Sequence, residues 1–222
     1  MRDMHCHILP GVDDGAQNLS ESLAMLAAAR DAGVTGIVCT PHCRDPYFDF
    51  DAMWDAYNLL VEHAGGFPLT MGFEVNWSKL VWLGMKEWAP YLGIQGPSLV
   101  GNGQAALLLE FDVDAPPSQF ADYRRTVFEL QGIGYDVVIA HPERYLALQK
   151  DLELAEMFVR MGCKLQLSAN FVAGGFFDRA KKCARALLNA GLVSCIASDA
   201  HCAAHYGLLT RAMNDYGHQL QS

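Results

Sequence analysis

The chain has 222 residues, of which 51% are apolar and 18% charged, and its formal net charge is −9. This length and composition predict one folded globular domain over residues 1–222 rather than a disordered chain. The acidic balance leaves no basic stripe to displace counterions, which excludes nucleic acid as the main partner. No apolar stretch is long enough to cross a bilayer, so membrane insertion is not expected.

Cysteine usage and the N-terminal sequence both predict a cytoplasmic protein. The seven cysteines are an odd number without a regular framework, which is typical of a reducing compartment. They form no Cys-x-x-Cys pair, so a zinc ribbon is not predicted. The N-terminus enters the first strand without a basic stretch and an apolar run, so a signal peptide is not expected. Self-association is left open.

Short apolar segments alternate with helical stretches along the chain. Strands are predicted at residues 2–8, 36–40, 69–74, 105–109, 136–140, 164–167 and 193–198. Helices are predicted at residues 20–32, 51–64, 118–132, 152–161, 177–190 and 206–216, with a short helix and a loop over 77–103. Seven strands separated by helices predict a parallel α/β sheet, because parallel neighbours need crossover connections.

The first strand contains a His-x-His pair, His5 and His7. Side chains alternate along a strand, so both imidazoles point to one side while Met4, Cys6 and Ile8 point to the other. Imidazoles are poor core residues because their nitrogens need partners, but in the neutral form they bind metal ions well. A lone His-x-His is weak evidence, and a metal site depends on further ligands elsewhere.

Polar side chains lie at or just beyond the carboxyl ends of all the predicted strands except the sixth. Such ends would face different crevices in an open doubly wound sheet, but they converge on one mouth in a barrel. We therefore favour a seven-stranded β/α barrel with its active site at these ends. The candidate ligands are His5, His7, Asp14, His42, Glu74, Glu110, His141, Asp199 and His201.

Imidazole and carboxylate ligands without thiolate suit manganese, iron or zinc. Nine ligands are too many for one ion, but three divalent ions with a bridging carboxylate would use them all. The four carboxylates leave net positive charge on three such ions, which suits a phosphate dianion. Metal coordination also lowers the pKa of bound water to about 7, which provides a nucleophile at neutral pH.

Each of these residues also has an ordinary structural interpretation. A single histidine at a strand end is usually hydrogen-bonded, and Glu74 or Glu110 alone could cap a helix. Arg144 could pair with Glu143 or face the mouth and hold a phosphate oxygen through its planar fork. Two further sets are interpreted structurally: the surface histidines His63, His205 and His218, and the packing tryptophans Trp77, Trp82 and Trp88, some of which could rim the mouth.

The assembled motifs resemble a known superfamily over almost the whole chain. They are Asp3-x-His5-x-His7 through Gly15, Thr40-Pro41-His42, Leu108 to Phe111, Ala140 to Tyr145 and Ala197 to His201. They resemble the PHP (polymerase and histidinol phosphatase) superfamily. Within it, the long first motif is similar to the bacterial manganese-dependent tyrosine-protein phosphatases of the CpsB/YwqE type.

The resemblance implies a distorted β/α barrel with a trinuclear metal site. The implied ligand sets are His5, His7, Glu74 and Asp199 for the first ion; Glu74, Glu110 and His141 for the second; and Asp14, His42 and His201 for the third. Arg144 matches a phosphate-contacting arginine, and we expect Arg144, Asp199 and His141 to be needed for catalysis. The implied reaction is attack of a metal-bridging hydroxide on phosphotyrosine of a tyrosine kinase that controls capsule or exopolysaccharide synthesis.

One departure from the family pattern concerns the substrate. The family has a second phosphate-contacting arginine shortly after the motif at 199–201, where this chain reads Cys202-Ala203-Ala204-His205-Tyr206. Arg211 or another residue would have to substitute for it.

Two other functions compete with a tyrosine phosphatase. One is a small-molecule phosphoesterase of the histidinol-phosphatase kind, and the other is a metal-binding regulator without turnover. An amidohydrolase is less favoured, because Glu110 occupies the place of its bridging lysine. A thiolate phosphatase is not predicted either, because no cysteine is followed six residues later by arginine.

Overall fold

A computed structural model describes residues 1–95, 105–175 and 177–220, which form a mixed α/β fold. The strands are β1 (Arg2–Cys6), β2 (Gly36–Cys39), β3 (His42–Cys43), β4 (Leu69–Met71), β5 (Glu74–Asn76), β6 (Ala105–Glu110), β7 (Tyr135–Ala140), β8 (Lys164–Ser168) and β9 (Cys195–Ala197). The α-helices are α1 (Leu19–Asp31), α2 (Phe50–His63), α3 (Trp77–Leu83), α4 (Met85–Leu92), α5 (Phe120–Gly132), α6 (Glu153–Arg160), α7 (Arg179–Asn189) and α8 (His205–Tyr216). Among these residues no helix has the length and apolar character that a bilayer crossing requires.

Helices α1, α2 and α7 begin where local chemistry predicts, and α1 and α7 also end there. The side chains of Asn18, Asp49 and Asp178 accept hydrogen bonds from backbone amides in the first turns. Such caps satisfy amides that have no partner within the helix. Gly33 and Gly191 follow α1 and α7 with φ of 75° and 66°, a conformation that glycine adopts without strain.

All strand pairs are parallel, in sheets of order β1-β2-β4 and β3-β5-β6-β7-β8-β9. An isolated parallel bridge between Cys6 and Ala200 connects the end of β1 to the residues after β9. Beside it, the amide of His7 donates to the carbonyl of Ala200 at 2.9 Å. The amide of Asp199 donates to the carbonyl of His5 at 2.8 Å. The first and last strands therefore meet next to the His-x-His pair.

The expected seven-stranded barrel is not confirmed, because the described strands form separate sheets of three and six. The predicted second strand, residues 36–40, corresponds to β2 alone, and β3 follows Thr40 and Pro41 as an additional strand that was not predicted. Gly72 and Phe73 divide the predicted third strand into β4 and β5. Pro41 has no amide hydrogen for a neighbouring strand. At Gly72 a Cβ would lie 3.0 Å from a methyl group of Val38, so the backbone approaches its neighbour closely.

Side-chain alternation divides the apolar core into two clusters. Leu107 belongs to the larger cluster, whereas Leu108 packs in a smaller one with Val38 and Val138. Residues two apart on a strand share a face, so Glu110 lies on the same face as Leu108. The smaller cluster therefore lies directly below the polar residues at the strand ends.

Strand β1 departs from regular alternation. Its register with β2 shifts between Asp3 and Cys6. Met4 packs against the smaller cluster, whereas Cys6 and Ile8 belong to the larger one. The prediction that all three apolar residues share one side is wrong because of this shift.

The tryptophan-rich segment after β5 contains two helices instead of the single short helix predicted. Gly84, with φ of 97°, separates α3 from α4. Trp77 and Trp88 pack against the core, but Trp82 is 76% exposed. The part of the predicted helix-and-loop segment 77–103 that follows residue 95 lies outside the described residues.

Candidate metal centre

The polar residues at the strand ends are positioned by both pairing and unusual backbone. His42 and Glu74 begin β3 and β5, where they are paired in register, and Glu110 ends β6. His141 and Asp199 follow β7 and β9 with φ of 31° and 48°. Non-glycine residues rarely adopt this left-handed conformation, and such strain is concentrated at functional sites.

The described residues contain three overlapping groups whose ligand atoms lie within 4.8 Å of one another. The groups are His5, His7 and Glu74; His42, Glu74 and Glu110; and His7, Asp14, His42 and His201. The Nε2 atom of His141 lies 2.6 Å from Oε1 of Glu74. Oδ1 of Asp199 lies 3.5 Å from Nε2 of both His5 and His7. The structure thus brings all nine candidate ligands together.

The buried imidazoles of His5 and His7 have their Nε2 atoms 3.1 Å apart. Nδ1 of His5 donates to Oε1 of Gln166 at 2.9 Å, and Nδ1 of His7 donates to Oδ2 of Asp13 at 2.8 Å. In the neutral imidazole, with the proton on Nδ1, each Nε2 has a lone pair directed into the cluster. Hydrogen bonds of this kind orient metal-binding histidines.

Glu74 is the centre of the cluster. Its Oε1 lies 2.6 Å from Nε2 of His141 and 3.4 Å from Nε2 of His5. Its Oε2 lies 2.6 Å from Nδ1 of His42 and 3.5 Å from Nε2 of His7. One carboxylate therefore contacts histidines from several strands, as a ligand shared by two ions would.

Asp14 and His201 are the more exposed members of the cluster. Oδ1 of Asp14 lies 3.2 Å from Nε2 of His42 and 3.3 Å from Nε2 of His201. The backbone amide of His201 donates to Nδ1 of His205 at 3.2 Å. His205 is half-buried, and this hydrogen bond supports the loop that carries His201. The prediction of an ordinary surface histidine at position 205 is therefore wrong.

Arg44 lies at the edge of the cluster next to Glu110. Its Nη2 donates to Nε2 of His42 at 3.0 Å, and its Nη1 lies 3.6 Å from Oε1 of Glu110. The Arg44 side chain is 36% exposed. Arg44 was not predicted to be a site residue, although its position two residues after His42 places both side chains on the same face of a strand.

Arg144 faces the cluster instead of pairing with Glu143. Its Nη2 donates to Oδ2 of Asp199 and, at 3.3 Å, to Oγ of Ser168. Glu143 is buried and accepts a hydrogen bond from the amide of Ser168 at 3.1 Å. Of the two orientations left open by the sequence, the structure has the one toward the candidate metal ligands.

The three buried carboxyl groups of the cluster differ in their electrostatics. Burial raises the pKa of a carboxyl group, but nearby histidines, above all His5, hold the pKa values of Glu74 and Asp199 well below the usual range. Burial and the negative charge of Glu74 raise the pKa of Glu110 to about 7. Glu110 therefore exchanges its proton near neutrality.

The histidines respond to the same charges. Burial lowers the pKa of His7, but its hydrogen bonds to Asp13 and Asp199 raise the pKa well above its usual value. Burial likewise lowers the pKa of His5, but Glu74 and Asp199 raise it overall. Burial and the positive charge of His7 lower the pKa of His201 to about 4. The cluster therefore holds protons that a bound cation would displace.

Comparison with known proteins identifies the family. A family model described as capsular polysaccharide synthesis, CpsB/CapC, matches residues 1–207. The chain belongs to the CpsB/CapC family. This match spans every candidate ligand of the cluster, from His5 to His201.

Relatives of this CpsB/CapC chain include proteins named tyrosine-protein phosphatases. The tyrosine-protein phosphatase CpsB of Streptococcus pneumoniae is 33% identical over 217 residues, which cover 90% of this chain and 83% of that protein. The tyrosine-protein phosphatase YwqE of Bacillus subtilis (strain 168) is 30% identical over 207 residues, which cover 90% of this chain and 77% of that protein.

A solved structure also matches the fold. It comes from work on YwqE from Bacillus subtilis and CpsB from Streptococcus pneumoniae, described as unique metal-dependent tyrosine phosphatases. The match has a TM-score of 0.74 and 28% identity, and it covers 96% of this chain and 86% of that one. The mixed α/β fold with parallel sheets is thus common to this chain and a metal-dependent relative.

The donor set of this CpsB/CapC chain fits metal ions. Oε2 of Glu110 and Nδ1 of His141 are buried atoms without a hydrogen-bond partner in the described residues. Buried polar atoms are normally satisfied, so orphaned lone pairs indicate an unaccounted partner. Imidazole and carboxylate donors are those preferred by manganese, iron and zinc.

The three observed groups differ from the ligand sets implied by the family resemblance, because His7 and His42 each belong to two groups and His141 and Asp199 belong to none. His42 lies with Glu74 and Glu110 as well as with Asp14 and His201. The resemblance assigned it to the third ion alone. His42 is therefore placed between two potential ion positions, with its two ring nitrogens facing different carboxylates.

Two supporting residues were missed by sequence reasoning. Asp13 accepts hydrogen bonds from His7 and from the amides of Gly15 and His42, at 2.8, 2.9 and 3.1 Å. Of the adjacent residues Asp13 and Asp14, only Asp14 was predicted to be a ligand. Gln166 lies in β8, the strand to which no ligand was assigned, because glutamine is not a typical metal ligand.

Proposed function

We propose that this chain is a metal-dependent protein-tyrosine phosphatase. The observation that carries the proposal is the convergence of nine imidazole and carboxylate ligands beside Arg144 in a CpsB/CapC chain. The names of its relatives support tyrosine phosphatase activity, and the family description supports a role in capsular polysaccharide synthesis. The proposed substrate is phosphotyrosine on a tyrosine kinase that controls capsule or exopolysaccharide synthesis.

The cofactor in this proposal is three divalent ions, with manganese preferred and iron or zinc as alternatives. The residues that would hold them are the nine candidate ligands His5, His7, Asp14, His42, Glu74, Glu110, His141, Asp199 and His201. When bound, divalent ions polarise phosphate oxygens and lower the pKa of coordinated water toward 7. The four carboxylates do not neutralise three such ions, so positive charge remains to attract a phosphate dianion.

The proposed roles of Arg144, Asp199 and His141 follow from their contacts. Arg144 is partly exposed, and its planar guanidinium suits two oxygens of a phosphate group. Asp199 holds that guanidinium through Oδ2 while its Oδ1 faces the imidazoles. His141 contacts Glu74 and, at 3.7 Å, Oε1 of Glu110, so it fixes the two carboxylates relative to each other.

The cysteines support a reaction without a thiolate nucleophile. Cys43, next to His42, is buried, and burial raises the pKa of its thiol to about 12. Burial also raises the pKa of Cys6 well above its usual value. All seven cysteines are described and each is a free thiol, which supports a cytoplasmic site of action.

The test is a substrate panel combined with elemental analysis. We expect purified protein to contain manganese and to hydrolyse a phosphotyrosine peptide, with activity lost on chelation and restored by Mn²⁺. Histidinol phosphate and a phosphoserine peptide should be poorer substrates, because the tyrosine leaving group has a pKa of about 10 and departs more readily than an alkoxide.

Two outcomes of this panel would contradict the proposal. A preference for histidinol phosphate would favour a small-molecule phosphoesterase. Full metal loading without turnover of any phosphate ester would favour a metal-binding regulator.

A further inference from the structure

A cleft of about 520 Å³ opens beside the metal centre, and Arg44 is common to both. We call it the Arg44 cleft. Its other lining residues are Asp45, Asn76, Ser78, Lys79, Trp82 and Asp112. The volume lies within the range of about 300–1,000 Å³ typical of ligand pockets.

The strands that carry two candidate ligands continue into this cleft. Asn76 and Asp112 lie two residues beyond Glu74 and Glu110, and Asn76 is paired in register with Glu110. Nδ2 of Asn76 donates to Oδ1 of Asp112 at 3.4 Å. A molecule whose phosphate lies at the metal centre would therefore extend along these residues as it leaves the centre.

An exposed aromatic side chain forms the outer wall of the Arg44 cleft. Nζ of Lys79 lies 4.6 Å from the centroid of the Trp82 ring and 2.7 Å from Oδ1 of Asp45. These contacts hold the lysine against the indole, although Trp82 remains 76% exposed. A solvent-facing indole is a favourable surface for peptide side chains.

Arg44 has the geometry to bind an anion. Its present partners, His42, Glu110 and, at 3.9 Å, Asp14, are candidate metal ligands whose lone pairs metal binding would engage. The partly exposed guanidinium would then have N–H donors available for another acceptor, at the boundary between the metal centre and the Arg44 cleft. Arg211, the substitute considered from the sequence, is 58% exposed and pairs with Asp215 at 3.8 Å within α8.

We infer that the Arg44 cleft binds the phosphotyrosyl segment of the substrate. Arg44 donates to a phosphate oxygen from the His42 side of the centre, while Arg144 does so from the Asp199 side. Trp82 contacts the peptide residues that flank the phosphotyrosine. This inference rests on the proposed function and adds to it a second phosphate-binding arginine and a peptide-binding surface.

The arginine is tested by phosphate binding, which does not require turnover. Calorimetry with inorganic phosphate on the Mn²⁺-loaded protein should show about tenfold or greater weakening in Arg44→Ala, because a charge-assisted hydrogen bond is lost. Arg44→Lys should recover part of the affinity, and Arg211→Ala should match the wild type. Unchanged phosphate affinity in Arg44→Ala, with metal content equal to wild type, would overturn the assignment.

The indole is tested by comparing a large and a small substrate. Trp82→Ala should raise KM for a phosphotyrosine peptide by about fivefold, as expected for loss of an aromatic contact, and leave KM for para-nitrophenyl phosphate unchanged. The matched control is Phe128→Ala, which removes another exposed aromatic (72% exposed, on α5) and should change neither value. Equal effects of Trp82→Ala on both substrates, or none on either, would refute the peptide surface.

The failure of this inference is distinguishable from the failure of the proposed function. If the wild type hydrolyses phosphotyrosine and both variants behave like it, the inference alone is wrong. If the wild type hydrolyses no phosphate ester, the proposed function is wrong, and equal phosphate affinities of wild type and Arg44→Ala would then refute the role of Arg44 as well.

Discussion

The carboxylate of Asp199 is shared between the guanidinium of Arg144 and the paired imidazoles of the first strand. Oδ2 accepts a hydrogen bond from Nη2 of Arg144, whereas Oδ1 lies 3.5 Å from Nε2 of His5 and of His7. The left-handed backbone of Asp199, with φ of 48°, places the side chain between them. The candidate phosphate-binding group is thus fixed relative to the candidate metal ligands by a single residue.

Arg144→Ala should mainly weaken phosphate binding. Loss of hydrogen bonds between charged partners costs about 1.5–3 kcal/mol, which corresponds to an inhibition constant for inorganic phosphate raised about ten- to a hundredfold. Metal content should stay at the wild-type level, because the donors of the cluster remain. Elemental analysis and inhibition by phosphate check the two halves of this prediction.

Arg144→Lys is the informative companion variant. Lysine keeps the charge but lacks the planar fork, so it should restore only part of the phosphate affinity. If Arg144→Ala leaves the kinetics on phosphotyrosine unchanged, the role assigned to this arginine is wrong.

Asp199→Asn should abolish phosphatase activity without unfolding the protein. The amide keeps the shape of the side chain but removes the charge that faces His5 and Arg144. A ligand that binds only the folded state stabilises it, so Mn²⁺ should raise the melting temperature of the wild type far more than that of the variant. Circular dichroism should show the same helix content in both. An active, metal-loaded Asp199→Asn protein would contradict the proposed centre.

Much of the site was predictable because metal chemistry limits the residue types that can serve. His5 and His7 were identified from the His-x-His motif, and Glu74 from its place at the end of a predicted strand, since the carboxyl ends of parallel strands lie at one edge of a sheet. Sequence spacing could not show that Glu74 contacts four imidazoles, because that depends on the tertiary arrangement of separate strands.

The residues that were not predicted from the sequence are ones that orient candidate ligands instead of serving as ligands themselves. Asp13 and Gln166 hold the Nδ1 atoms of His7 and His5, and an interior glutamine on a strand carries no signature of that role. The two-residue strand β3 and the strand break at Gly72 were also missed, because β3 is too short to show a hydrophobic pattern and the apolar character of residues 69–74 continues across Gly72. The hydrophobic pattern of a sequence predicts which segments are buried. It does not predict where strand pairing stops, because pairing also requires backbone amide donors in a regular extended conformation.

Metal affinity should rise with pH across neutrality. Burial and the charge of Glu74 raise the pKa of Glu110 to about 7, so below that pH a proton occupies the carboxylate. Because ligand groups must be deprotonated to bind metal, this single proton should weaken Mn²⁺ binding about tenfold between pH 8 and pH 6. The raised pKa values of His5 and His7 act in the same direction.

Competition with a chromophoric chelator at pH 6, 7 and 8 measures this dependence on protein first stripped of metal. Glu110→Gln is the control, because it removes the titrating proton and should give a shallower pH dependence with weaker binding throughout. Equal slopes for wild type and Glu110→Gln would show that another group controls the pH response.

Gly15→Ala should damage the metal centre through the backbone of His7. A Cβ at Gly15 would lie 2.0 Å from the carbonyl oxygen of His7 and 2.6 Å from its Cβ, so the two segments would have to separate. Overpacking of a close contact costs about 1–3 kcal/mol, and the shift would also disturb the bond from His7 to Asp13. We expect a lower melting temperature together with weaker Mn²⁺ binding.

The matched control is Gly132→Ala, at the end of α5, where a Cβ would meet no atom within 4 Å. Helix propensity predicts that this control is neutral or slightly stabilising. If Gly15→Ala has the melting temperature and Mn²⁺ affinity of the control, then close packing of the first loop against His7 does not hold the imidazole in place.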